Sequence, residues 1–580
     1  MKNILTHSTS LGMLCLALSL APAALADLTP EQKLADFREL AALYDKQYAP
    51  YEWKRTLFGF DALNIGPWLD RVSKTTSDLD FFELCVEYVS SLNDTHDSYQ
   101  LDTDFTAILG FGVDLYDGKA LIETITRALL PAAKYPFTFG DELVSVDGKT
   151  VEQLLTDFAK YGRQSNPRST RRMAAIRITS RPQFRMPHAA DLGDSASVVI
   201  KGQDGTQQTF TIPWVKSGTP LAVGPVPNPQ SAELEYKRRV QPSRVSSRSS
   251  SADAVGFPLM DDPIPDYLQL WIDIQHAEVQ DEGLLNYGSR TPIFALPDGF
   301  TMRLGTRSTD FFLSGTYQAG GKTIGFIRIP NYGSLAATVQ AQFDTEIAFF
   351  QANTDGLVID QMRNTGGFLC FGENIATRLI PYPFRPIGYE YRATWQRVNA
   401  FFSSLDAARR NGAEQWIIDT YQAFFNEVYQ AYQENRGLTG PLFICGPSGT
   451  RFPGPVVYTK PLIMLIDEFS TSTADSVPAM LQDAHRGLLF GMRTNGAGGT
   501  NTSFTTGSYT LGFTGMTLGL QTRAIPIATP DFPTSILIEN IGVRPDLVYD
   551  YMTKDNLLQR GRPFVDAFTA AILGLISKGN

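Results

Sequence analysis

The sequence predicts an α/β protein built from several domains, and three observations predict it. Compact apolar runs at residues 324–329, 356–360 and 462–467 alternate with helical stretches, the pattern of a buried, largely parallel sheet. Residues 105–216 read instead as short strands punctuated by turn signals. Residues 27–104 carry the three- and four-residue apolar spacing of amphipathic helices. A chain of 580 residues has the length for about three to four such units. With 43% hydrophobic and 19% charged residues, a disordered chain, a collagen-like repeat and a polytopic membrane protein are excluded. The formal charge of -10 argues against nucleic-acid binding. Five histidines and four cysteines leave little material for zinc or iron–sulfur sites, so no metal or cofactor is expected.

Residues 1–26 read as a secretory signal. Lys2 is the only charge, the apolar core runs over residues 11–20, and Ala24-Leu25-Ala26 supplies small residues before Asp27. The stretch is too short to span a bilayer and is broken by Pro22. A periplasmic or secreted chain without stable membrane insertion is expected, cleaved near Ala26, and loss of Lys2 takes the charge to -11. Cys85, Cys370 and Cys445 remain after cleavage, an odd number that forbids complete pairing. A bridge between Cys370 and Cys445 and three buried thiols are both open.

In the N-terminal unit, Leu34, Phe37, Ala41, Tyr44 and Tyr48 mark one helix face. A second helix starts at a Ser77 cap with Asp80 three residues on, carries Phe81, Leu84, Cys85, Tyr88 and Leu92 inward, and ends near Asn93-Asp94. His96 therefore sits in the following loop. From 105, Gly110-Phe111-Gly112 opens a strand through a tight loop, and 141–149 is a strand and turn, with a helix from about Val151. Residues 198–200 and 209–214 form a hairpin around Asp204-Gly205. This unit resembles a PDZ domain, with Gly110, Phe111 and Gly112 where the carboxylate-binding loop would lie and 156–192 as an insertion. Residues 217–299 connect to the C-terminal half, and the basic, serine-rich stretch 237–253 within them reads as a linker.

Residues 300–580 are the α/β unit, with helices at 339–350, 474–481 and 556–575. A Tyr/Phe/Gln-rich helical insertion at 385–440 has the place of a lid or cleft wall. Three turns there carry chemistry. An apolar strand runs into Gly366-Gly367, whose backbone N–H groups can stabilise an oxyanion. Another empties into Ser470-Thr471-Ser472-Thr473, where a helix N-terminus favours an alkoxide. The third, 538–546, is headed by Glu539.

In this order and spacing the three turns resemble the C-terminal processing (tail-specific) serine peptidases. That resemblance implies a crotonase-like (ClpP/crotonase) α/β core and a preference for apolar C-terminal tails. It also implies Ser472, three residues before Asp475, as nucleophile, with oxyanion donors at Thr473 and at Gly366 or Gly367. Many members place a lysine base about 25 residues after the serine; here that position is Ala497. The tricorn-like branch supplies an alternative, with Thr95-His96 and Glu539 at the matching places. His96 would take the Ser472 proton, and Thr95 and Glu539 would orient and balance the imidazole. Two functions follow. One is an exported serine endopeptidase acting on protein or peptide substrates clamped by the PDZ-like unit. The other is a catalytically inactive peptide- or lipid-binding protein on the same fold, which Ala497 favours.

Overall fold

Strand composition decides the centre of the molecule. Leu462–Ile466 alternates strictly: Met464 and Ile466 enter one core, Ile463 and Leu465 the opposite one. Gly356–Asp360 does the same, with Leu357 and Ile359 on one side and Val358 on the other. Apolar side chains on both faces are what a sheet covered by helices on both sides requires. The computed structural model describes residues 27–226, 276–278 and 286–578. The signal-like segment 1–26 and the linker 237–253 lie outside them.

The central sheet has seven strands, and five of them run parallel in the order Lys322–Arg328, Gly356–Asp360, Leu462–Ile466, Leu488–Gly491, Leu547–Val548. Helices Ala337–Asn353, Leu369–Leu379 and Thr473–Asp483 cover one face; Arg562–Ser577 covers the other through Phe564, Phe568 and Ile572. The single helix expected at 556–575 is two, Lys554–Leu558 and Arg562–Ser577. Arg560 and Gly561 between them have φ of 53° and 79°, which no right-handed helix accommodates.

A second sheet centres on the long strand Gly512–Ile527 and includes Ser98–Leu101 from the N-terminal unit. The N-terminal helices begin at a Thr29 cap and, as expected, at a Ser77 cap with Asp80 answering it. Phe37, Tyr44, Phe81, Tyr88 and Leu92 form their core together with Leu101 and Met516. Asn93, at φ 51°, turns the chain after helix Asp78–Ser90 and delivers His96 to the strand Ser98–Leu101.

The middle unit is an antiparallel sheet in the order Phe111–Tyr116, Lys119–Ile125, Glu142–Val146, Ser195–Lys201, Gln207–Pro213, and it contains the expected hairpin. The stretch 156–192 packs into the same core as the sheet. Ala174, Ala175, Ile178, Met186 and Ala189 share one core with Val113, Ile122 and Val198. Arg172 and Arg177 of its arginine-rich helix Pro167–Thr179 are buried.

Residues 385–440 form the helical hairpin Trp395–Arg410 and Gln415–Gln433, whose Phe401, Leu405, Phe424 and Val428 join the largest core. Cys370 and Cys445 are bridged, and Cys85 is a buried thiol, which settles the alternatives left open by the sequence. The bridge closes a loop with a sequence separation of 75 around this hairpin. By loop entropy, the double variant Cys370→Ser/Cys445→Ser should lose about 4 kcal/mol of stability. Denaturant unfolding of variant and wild type measures this; equal midpoints would mean that core packing alone holds the hairpin.

Candidate active site

Three neighbouring parallel strands each end in a turn at the candidate site, two of them singled out above, the place where α/β sheets present ligands. Gly356–Asp360 leads to Gly366-Gly367, Leu462–Ile466 to Ser472, and Leu488–Gly491 to the loop 494–498. Ser472 has φ 60° and ψ −112°, a strained conformation for a residue with a side chain. Its N–H donates to Asp475 Oδ2 at 2.8 Å, while its buried Oγ has no hydrogen-bond partner among the described residues. The Asp475 N–H donates to the Ser472 carbonyl at 2.8 Å. Thr473 Oγ1 donates to the Gly367 carbonyl at 2.8 Å, which brings the two candidate oxyanion turns together. Gly366 donates its own N–H to Asn364 Oδ1 at 2.9 Å, so of the glycine pair Gly367 remains as the candidate donor. Gly367 has φ 133°, and a Cβ there would stand 2.3 Å from the Tyr332 carbonyl carbon. Residues 276–278 lie antiparallel along Gly366–Phe368, one extended strand beside the glycine turn.

His96 is held by its backbone. Its N–H donates to Asp94 Oδ1 at 2.9 Å, and its carbonyl would lie 2.4 Å from a Cβ at position 515, which is glycine. Neither ring nitrogen has a hydrogen-bond partner among the described residues. Burial pushes the imidazole down to about 4, with Lys54 adding to the shift and Asp94 opposing it. It is therefore neutral, and able to accept a proton, across the neutral range.

Neither Thr95 nor Glu539 hydrogen-bonds the imidazole. The Thr95 hydroxyl donates to Asn495 Oδ1 at 2.5 Å and lies 3.2 Å from Ser165 Oγ. Ser165 Oγ donates to Glu539 Oε1 at 3.1 Å. Glu539 Oε1 also accepts from Lys54 Nζ at 2.5 Å, and its Oε2 accepts the Gly498 N–H at 3.0 Å. Gly496 and Ala497 donate to the two oxygens of Asp475 at 2.8 and 3.1 Å. Burial raises Asp475 to about 6, against the Thr494 hydroxyl and the N–H groups of Gly496, Ala497 and Ser472. Burial and then Asp94 push Glu539 up, opposed by the Lys54 ammonium and the Gly498 N–H. Sequence reasoning missed Lys54, Asp94, Ser165 and Asn495. Only Asp94 left a signal, two residues before His96.

The middle unit reaches the nucleophile turn through Arg172. Its guanidinium pairs with Asp114 and with Glu468 Oε1 at 3.0 Å, and lies 4.7 Å from the centre of the Phe469 ring. Burial alone would raise Glu468; Arg172 and Arg168 hold it down to about 2. In the loop proposed for substrate, Gly110 has φ 77° and its carbonyl accepts the Thr126 N–H at 2.8 Å. Phe111 packs on Phe137 in the core, and a Cβ on Gly112 would meet Thr124 Oγ1 at 2.5 Å. What this loop can offer a ligand is therefore backbone.

The fold matches mature CPAF with a TM-score of 0.72 at 20% identity, covering 95% of this chain and 98% of that one. Mature CPAF complexed with lactacystin gives the same TM-score of 0.72, also at 20% identity, over 95% of this chain and 99% of that chain. A Chlamydia pneumoniae protein is 25% identical over 95% of this chain and 91% of its own length. A protein of Chlamydia trachomatis serovar D is 24% identical over 95% and 94% respectively. Residues 323–549 match Peptidase family S41, and residues 105–220 match the PDZ domain. These matches and the fold define a serine peptidase. Residues 323–549 carry the mixed α/β fold that matches this family, and the stretch matching the PDZ domain precedes them.

Because the His96 imidazole titrates near 6.5 in the unfolded chain and about 4 in the folded one, the unfolded state binds its proton first as pH falls. Stability should fall from pH 6.5 downward, reaching a loss of about 3 kcal/mol near pH 4. His96→Gln should remove that part of the pH dependence. Denaturant midpoints at neutral and acid pH, wild type against variant, give the difference; parallel curves would place the imidazole in contact with water.

Proposed function

We propose that this peptidase is an exported endopeptidase of the tail-specific type, cleaving protein or peptide substrates through an acyl-enzyme on Ser472. The observation that carries the reading is the strained Ser472 with its unpartnered hydroxyl, set beside the Thr473–Gly367 contact at the end of a buried strand. Ser472 Oγ attacks the scissile carbonyl as His96 takes its proton. The oxyanion forms at the N–H groups of Thr473 and Gly367, and His96 returns the proton to the leaving amine. Water then releases the acyl group by the reverse transfers. The edge beside Gly367 suits an extended substrate, since residues 276–278 already lie antiparallel along it. The sequence of residues 1–26 supports export, and among the described residues no helix is long and apolar enough to cross a membrane.

The non-catalytic alternative draws on Ala497 and on the missing contact between His96 and Ser472. A fluorophosphonate probe separates the two. The wild type should label, and Ser472→Ala and His96→Ala should each lose labelling by at least about a hundredfold. Folded wild type that neither labels nor cleaves unfolded protein would falsify the peptidase mechanism at Ser472. Labelling that persists in Ser472→Ala would move the nucleophile elsewhere.

A further inference from the structure

Lys54 stands in helix Tyr51–Phe58 of the N-terminal unit, far in sequence from every catalytic candidate, and is fully buried. A lysine is almost never so placed without partners. Its ammonium has three donors, and the structure satisfies all of them: Glu539 Oε1 at 2.5 Å, Asn540 Oδ1 at 2.7 Å and the Asn93 carbonyl at 3.0 Å. Asp94 Oδ2 lies 3.9 Å away. These partners belong to the turn that delivers His96 and the turn that carries Glu539, so one side chain joins both.

We propose that Lys54 is a positioning residue of the catalytic centre, holding Glu539 as a carboxylate so that it can anchor the loop 494–498 and keep negative charge beside the histidine turn. This rests on the reading of Glu539 and His96 as parts of the catalytic machinery. Ionised, Glu539 accepts at both oxygens, from Ser165 and Lys54 at one and from Gly498 at the other, with no proton competing. Protonated, one of them carries the hydrogen and accepts more weakly, which loosens either the Ser165 and Lys54 or the Gly498 contact. Gly498 continues the stretch whose Gly496 and Ala497 N–H groups grip Asp475, the carboxylate that also holds the Ser472 N–H.

The charged and titratable groups facing Glu539 are Lys54 from its helix, Asp94 and Asp97 from the histidine turn, and Tyr48 from the end of the first helix. Apart from Lys54 these are acidic groups, and each disfavours a second negative charge. The same ammonium also disfavours charge on His96. Removing it therefore raises both His96 and Glu539, so the acid limb of activity moves toward higher pH.

The test is the second-order rate of fluorophosphonate labelling across about pH 5 to 10 for wild type, Lys54→Met, Glu539→Gln and the double variant, each checked for folding by thermal melt. Lys54→Met should shift the acid limb upward by at least about one pH unit, with a tenfold or greater loss at pH 7 that largely recovers above pH 9. The double variant should label within a few-fold of Glu539→Gln, because the two act through one group. A loss that is equal at every pH, or an additive double variant, overturns the proposal. Lys54→Gln, which keeps N–H donors without the charge, is the second variant should methionine not fold, and an unmoved limb in it has the same meaning. Wild-type labelling in Glu539→Gln would instead overturn the underlying reading of Glu539.

Discussion

Three consecutive backbone N–H groups, those of Gly496, Ala497 and Gly498, point at two buried carboxylates, and the cleft is organised around that capture. Asp475 takes the first two and Glu539 the third. A carboxylate buried without donors carries a large desolvation penalty, so the loop and the acids stabilise one another. Asp475 extends the arrangement to the Ser472 N–H, and Asn495 extends it to Thr95, the residue before His96. Ser472 can hold its strained backbone because its surroundings fix it from both sides.

The parts of the fold that were legible in the sequence are those with a local physical cause. Strands such as Leu462–Ile466 are written as unbroken apolar runs because both faces are covered, and the Ser77–Asp80 cap is a contact across three residues. The break at Arg560-Gly561 was missed because the apolar periodicity continues across it. In helix Pro167–Thr179, Arg172 is buried against Asp114 and Glu468 from other segments, contacts that no local pattern marks. The Cys370–Cys445 bridge needed coordinates to be chosen over free thiols.

The candidate site divides in the same way. Ser472, Thr473 and the glycine pair announce themselves because a strand that empties into small residues is a pattern along the chain. Lys54 does not, since the acid it pairs with lies 485 residues away. Ser165 lies in what was read as an insertion, 374 residues from the Glu539 it bonds. The contacts of Thr95 and Glu539 were assigned to the imidazole by analogy of position. In the structure the Ser165 hydroxyl and the loop 494–498 receive them instead.

A chain that emerges from the ribosome in order, or threads through a membrane pore, holds Lys54 and His96 long before Ser472 and Glu539 exist beside them. Thr95 meets Asn495 across 400 residues, and helix Arg562–Ser577 must still close the far face of the sheet. No N-terminal fragment contains a working set of parts, and loop closure over such distances makes the last docking slow. On the reading of Ser472 and His96 as catalytic, peptidase activity arises only at the end of folding, once these distant segments have docked.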